Sequence, residues 1–98
     1  MARIMVSPTA RDSLARLTLT HSLPHDTNDR FRRSVSPLAD FPRLGRALEG
    51  GGYHGLRFVL GPWRWMVIVY DYDVDADVVH VLVVEDARSS NAATNYLA

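Results

Sequence analysis

The sequence contains no cysteine and no lysine. Without cysteine the protein has no disulfide bond and no thiolate ligand for a metal ion. Without lysine it has no side-chain amine for Schiff-base or general-base chemistry. Its eleven basic residues are all arginines, which stay charged and can bind a phosphate or a carboxylate through two hydrogen bonds. The formal net charge is zero, which argues against a uniformly basic surface for nucleic acid.

Long apolar runs are also missing. The longest, residues 65–70, is far shorter than the roughly 20 residues that a membrane-spanning helix needs. The N-terminus has no basic stretch followed by an apolar one, so no signal peptide is predicted. Together with the lack of cysteine, this predicts a cytoplasmic protein with no membrane contact. The 98 residues, 47% of them apolar, suffice for one domain with one modest core.

The first half of the chain has the patterns of one strand and two helices. Residues 3–6 form a short β-type run, and Ser7-Pro8 marks a helix start, because serine caps free amides and proline fits the first helical turn. Apolar spacing then predicts a first helix over residues 8–19. Asp26 with Asp29 forms a near capping box for a second helix. Its apolar stripe is Phe31, Val35 and Leu38.

Pro37 lies inside that second helix and is expected to kink or shorten it. After the glycines at 50–52 the apolar period changes to two, which is typical of strands. Strands are predicted over residues 56–60, 63–72 and 78–84, with a turn at Gly61-Pro62 between the first two.

The predicted element order is β-α-α-β-β-β. Two amphipathic helices that each bury one stripe are expected to pack as a hairpin on one face of a small antiparallel sheet, which is an α+β fold. One domain is predicted over residues 1–88. The polar composition of residues 89–98 predicts a mobile tail or a weak helix.

This order resembles the RelE/ParE toxin superfamily of bacterial toxin–antitoxin modules. Residues 38–48 contain a leucine, a proline and the pair Gly45-Arg46 where that family commonly closes its second helix, and Arg64 lies where the family has an arginine opening its long third strand. The resemblance covers residues 3–88. It implies a type II toxin that is neutralised by a cognate antitoxin in a hetero-oligomer.

Within that family the resemblance implies two possible targets. ParE-like toxins inhibit DNA gyrase, and RelE-like toxins cleave mRNA in the ribosome. The zero net charge, the lack of lysine and the acidic pair Glu85-Asp86 favour gyrase inhibition, with ribosome-dependent mRNA cleavage as the alternative. A non-toxic binding module with the same fold is a further alternative.

If the chain is a nuclease, the resemblance implies a set of catalytic side chains. Negative charge develops at the scissile phosphate, so cations are required there. Arg57 and Arg64 match two of the family's cationic positions, while a third falls on Gly55 and loses its charge. His80 lies among valines, where a structural role is favoured. The predicted catalytic set is Arg57, Arg64, His80, Arg88 and Tyr96.

The same arginines and two tryptophans could instead bind the antitoxin or the target. The predicted binding set is Arg43, Arg46, Arg57, Trp63 and Trp65. A hairpin that closes at Gly61-Pro62 is expected to bring Arg57 close to Arg64. No cofactor and no metal site are predicted, because Pro24 breaks any helix that would align His21 with His25. The alternating aspartates between 71 and 77 lack the glycine and the glutamate of an EF-hand.

Overall fold

The computed structural model describes residues 1–48 and 55–88, in which two α-helices pack on one face of a five-stranded sheet. The elements in chain order are β1 (Arg3–Val6), α1 (Pro8–Thr20), α2 (Thr27–Val35), a 3₁₀-helix (Ser36–Ala39), β2 (Arg46–Ala47), β3 (Arg57–Leu60), β4 (Met66–Asp73) and β5 (Val78–Asp86). The strand order across the sheet is β1-β5-β4-β3-β2. The predicted α+β class is confirmed.

The sheet is mixed, because one pair of strands is parallel. The three long later strands pair antiparallel, as predicted, whereas β1 lies parallel to β5 with Ile4 opposite Val79. A parallel pair requires a long connection, and between β1 and β5 the chain runs through both helices and the other three strands. The two-residue strand β2 was not predicted. It pairs antiparallel with β3 through Arg46 opposite Phe58.

Helix α1 begins as the sequence indicates. The hydroxyl of Ser7 accepts a hydrogen bond of 3.0 Å from the backbone N–H of Ala10, and Pro8 occupies the first turn. The same hydroxyl donates to the carbonyl of Leu82 at 2.9 Å. The helix start is therefore attached to β5, and the helix buries Ala10 and Leu14 against the sheet.

The second predicted helix is divided at its proline. Helix α2 ends at Val35, and the next four residues form the 3₁₀-helix, because Pro37 has no N–H to continue the α-helical ladder. The predicted capping box is wrong: the Asp26 side chain makes no cap hydrogen bond and instead accepts one of 3.0 Å from Nε of Arg30. The predicted apolar stripe is buried over Phe31, Val35 and Leu38.

Strand β4 is apolar on both faces, as predicted for a central strand. Met66, Ile68 and Tyr70 face the helices, while Val67 and Val69 are buried on the other face against Leu48. The strand starts three residues later than predicted. Trp63, Arg64 and Trp65 lie in the turn before it, which is closed by a 2.9 Å bond from Met66 N–H to the Trp63 carbonyl.

Several predictions lie outside the described residues: the glycine loop at 50–52, the tail at 89–98 and Tyr96. Within residues 1–48 and 55–88, no helix is long and apolar enough to cross a membrane. In the same part of the chain, no three histidine or carboxylate side chains converge as metal ligands would.

Candidate functional site

Basic and aromatic side chains gather at the end of the sheet where β4 starts and β5 ends. Met66 pairs with Asp86, and one step further the N–H of Ala87 donates to the carbonyl of Trp65 at 2.7 Å. This continued pairing places Arg64 and Arg88 on neighbouring chain segments. We call the group the basic–aromatic cluster, and its members are His21, Arg30, Trp63, Arg64, Trp65, Asp86 and Arg88.

The two tryptophans form the centre of the cluster. Their rings are 6.3 Å apart and inclined by 23°. The guanidinium carbon of Arg30 lies 5.7 Å from the Trp63 ring centroid, and that of Arg88 lies 5.1 Å from the Trp65 ring. Such cation–π contacts contribute about 0.5–2 kcal/mol each and restrict the arginines to defined positions. Both tryptophans also pack against the helix-side core.

His21 fixes the cluster from the helix side. Its ring stacks on Trp65 at 4.3 Å, and its Nε2 lies 3.1 Å from Oδ2 of Asp86. Its Nδ1 lies 3.2 Å from the Leu17 carbonyl and 2.9 Å from the Thr20 hydroxyl. Both ring nitrogens therefore have partners, and these contacts hold the ring in place against Trp65 and Asp86.

Asp86 is compensated within the cluster. Nε and Nη2 of Arg88 each donate a bond of 3.0 Å to its two carboxylate oxygens, and the Arg88 backbone N–H adds a third at 2.9 Å. The side-chain bond from Arg88 is the main reason that the pKa of Asp86 falls to about 2. The Asp86 carboxylate, one of the two that argued against RNA binding, is thus already paired with a cation, Arg88.

Arg64 differs from the other arginines of the cluster. Its side chain is exposed, and within residues 1–48 and 55–88 its guanidinium makes no hydrogen bond or ion pair. Arg88 keeps 63% of its side chain exposed despite its bonds to Asp86. Among the described residues the cluster therefore has one free cation, Arg64, and two cations held by other contacts, Arg88 and Arg30.

The expected proximity of Arg57 and Arg64 is wrong. Arg57 lies opposite Tyr70, three residues before β3 ends at Leu60. Its backbone is therefore about 10 Å along the strand from the start of the turn that holds Arg64. Its Nη1 donates to the carbonyl of Gly45 at 2.8 Å. Arg57 shares the helix-side face with Val59, as the strand period predicted.

The remaining predicted residues are dispersed over the molecule. Arg43 is exposed and lies 5.5 Å over the Tyr72 ring, and Arg46 is exposed on β2. His80 is half-buried within β5 opposite Asp71, well before the end of the strand at Asp86. The structure thus unites Trp63, Trp65, Arg64 and Arg88, but not Arg43, Arg46, Arg57 or His80.

Sequence reasoning did not place three members in the cluster. His21 was considered only as a metal ligand, Arg30 was not considered, and Asp86 was considered only for its repulsion of RNA. Asp86 is 65 residues from His21 in sequence, so no local pattern links the two. The sequence feature that pointed to the cluster was the pair of tryptophans flanking Arg64, because aromatic rings beside a turn need other side chains to cover their faces.

Solved structures share this arrangement of helices and strands. A chain of the toxin–antitoxin complex RelBE2 from Mycobacterium tuberculosis is 21% identical with a TM-score of 0.62, over 87% of this chain and 96% of that chain. A chain of the intact RelBE complex of Escherichia coli is 16% identical with a TM-score of 0.62, over 91% of this chain and 100% of that chain. The isolated E. coli RelE toxin is 15% identical with a TM-score of 0.61, over 99% of this chain and 96% of that chain.

These similarities establish that the chain has the RelE-like fold, which confirms the fold implied by the resemblance. No protein-family model matches the sequence, and no curated protein matches it. The three structures are described as RelE toxins or RelBE complexes. The preference for gyrase inhibition gains no support from them.

Proposed function

We propose that this protein is the toxin of a type II toxin–antitoxin pair, and that it acts on ribosome-bound mRNA as a RelE-like toxin. The fold supports the class, because similar structures are RelE toxins in complex with their antitoxins. The observation that carries the choice of target is the basic–aromatic cluster. It combines the free cation of Arg64 with the fixed cation of Arg88, both at the end of the sheet where β4 starts and β5 ends.

Such a cluster fits the charge that develops when an RNA 2′-hydroxyl attacks the adjacent phosphate. Cations directed at that charge stabilise it, and one lost donor to it costs about 10²–10³ in rate. In this proposal Arg64 contacts the phosphate, while Arg88 and Arg30 are positioned by the tryptophan rings. The bonds from Arg88 and His21 to Asp86 reduce the repulsion that its carboxylate exerts on RNA.

The partner in this proposal is an antitoxin with an acidic amphipathic helix. A groove of about 440 Å³ runs between β1, α1 and α2. Its lining residues are Val6, Arg11, Leu14, Ala15, Asn28, Phe31 and Arg32. An apolar floor with arginines at both sides suits a helix that inserts apolar side chains and presents carboxylates to the guanidinium groups.

Expression in a bacterial host tests the toxin class. Growth is expected to stop, and co-expression of the short reading frame beside this gene is expected to restore it. Normal growth with a folded protein would favour the non-toxic binding module instead.

The target is tested in the same cells. Protein synthesis should fail first, with plasmid supercoiling intact. Arg64→Ala should relieve the arrest, whereas Arg16→Ala should not, because Arg16 is also exposed but lies within α1 and has no contact with the cluster's described residues. Relaxed plasmids with continuing translation would show that gyrase is the target.

A further inference from the structure

The turn after the 3₁₀-helix exposes two large apolar side chains. Phe41 is 64% exposed and Leu44 is 60% exposed, while the chain's core residues are almost fully buried. The two are joined by a bond of 3.0 Å from the Leu44 N–H to the Phe41 carbonyl. With the exposed guanidinium groups of Arg43 and Arg46, they form what we call the turn surface.

The turn is held rigidly from beneath. The hydroxyl of Tyr70, a fully buried residue, donates to the carbonyl of Pro42 at 2.7 Å and accepts from the N–H of Gly45 at 2.8 Å. Arg57 donates to the carbonyl of Gly45 at 2.8 Å. A Cβ at Gly45 would lie 2.6 Å from the Tyr70 ring, so the close approach depends on glycine. An apolar surface that is ordered before binding avoids the entropy cost of ordering on binding.

The side chains of the turn surface favour a protein partner over RNA. A recess of about 340 Å³ is lined by Phe41, Pro42, Arg43 and Leu44. Leucine has no π-face on which a nucleobase could stack, so half of the apolar contact would be lost on RNA. Arg43 and Arg46 add positive charge at the same surface, and their bidentate groups match carboxylates as well as phosphates. The combination fits an acidic peptide segment with apolar side chains.

We propose that the turn surface is a second docking site for the antitoxin, separate from the helical groove. A segment that carries two apolar side chains and at least one carboxylate inserts beside Phe41 and Leu44 and pairs with Arg43 or Arg46. The inference rests on the proposed function only in taking the antitoxin as the partner.

The test compares two ways of removing exposed apolar surface. The double variant Phe41→Ser with Leu44→Ser changes the turn surface, and Leu19→Ser removes a residue that is 82% exposed at the end of α1. Each purified protein is titrated calorimetrically with the purified product of the neighbouring reading frame. The double variant is expected to bind at least tenfold more weakly, and Leu19→Ser within twofold of wild type.

A charge variant covers the case in which the double variant fails to fold. Arg43→Glu with Arg46→Glu should weaken binding at least tenfold at low salt, and Arg16→Glu should not. Unchanged antitoxin affinity in the folded turn variants would overturn the second docking site. The proposed function would still stand if the wild-type protein arrests growth and the antitoxin rescues it. Loss of self-association in the double variant, with antitoxin affinity unchanged, would overturn it in favour of a dimer contact. A wild-type protein that arrests growth but does not bind the product would overturn the antitoxin assignment itself.

Discussion

The guanidinium of Arg57 donates a hydrogen bond of 2.8 Å to the carbonyl oxygen of Gly45. A weaker contact of 3.4 Å reaches the carbonyl of Arg43. The side chain therefore connects β3 to the turn that follows the 3₁₀-helix. The resemblance places Arg57 in a catalytic set, and the structure shows that it also supports the turn. This structural contribution can be measured as a change in the free energy of unfolding.

Replacing Arg57 should destabilise the fold. Arg57→Ala leaves the carbonyl of the buried Gly45 without its donor, and a hydrogen bond from a charged group contributes about 1.5–3 kcal/mol. Urea denaturation should show a loss in that range. Arg57→Lys should recover part of it, because an ammonium group can still donate to one carbonyl. Unchanged stability of Arg57→Ala, together with lost toxicity, would support the catalytic interpretation instead.

The fold followed from the sequence where local chemistry decides the structure. The Ser7-Pro8 pair and the apolar period place α1 to within one residue of its observed end, and Pro37 divides the second helix where its missing N–H requires. The direction of β1 has no such local signal, because it depends on how the helical hairpin crosses the sheet. Strand β2 is only two residues long, too short to show a period.

The site was predictable only in part, for a related reason. Arg64, Arg88 and the two tryptophans were identified from their places in the chain, and the pairing of β4 with β5 brings them together. The bond from Arg57 to the Gly45 carbonyl was not predicted, because a backbone carbonyl in a turn leaves no trace in the sequence. The contact of His21 with Asp86 likewise depends on tertiary structure.

Tyr70→Phe tests the support of the turn surface. The change removes one hydroxyl and leaves the N–H of Gly45 and the carbonyl of Pro42 without that partner. An unsatisfied buried polar group costs about 1–3 kcal/mol, so the melting temperature should fall by several degrees. Hydrogen exchange at the Gly45 amide should accelerate by more than the global loss of stability explains. Exchange at wild-type rates would show that the turn is held by other contacts.

The low pKa of Asp86 predicts that acid reduces the folding stability. Its pKa falls from 3.8 to about 2 on folding, so its contribution to stability is present above pH 3.8 and is lost as the pH drops towards 2. The contribution is at most about 2 kcal/mol, because its partner Arg88 is largely exposed. Asp86→Asn should be less stable than wild type at pH 6, and the difference should shrink near pH 2. Equal differences at both pH values would contradict this pairing.

The most direct test of the proposed function is the mapping of mRNA ends in a reconstituted translation reaction. Wild-type protein should produce codon-dependent cuts in ribosome-bound mRNA. Arg64→Ala should reduce the cleavage rate at least about a hundredfold without changing the melting temperature, because Arg64 is an exposed turn residue. Arg16→Ala should cleave as wild type does. Intact mRNA with the wild-type protein, alongside inhibited supercoiling by purified gyrase, would contradict the account.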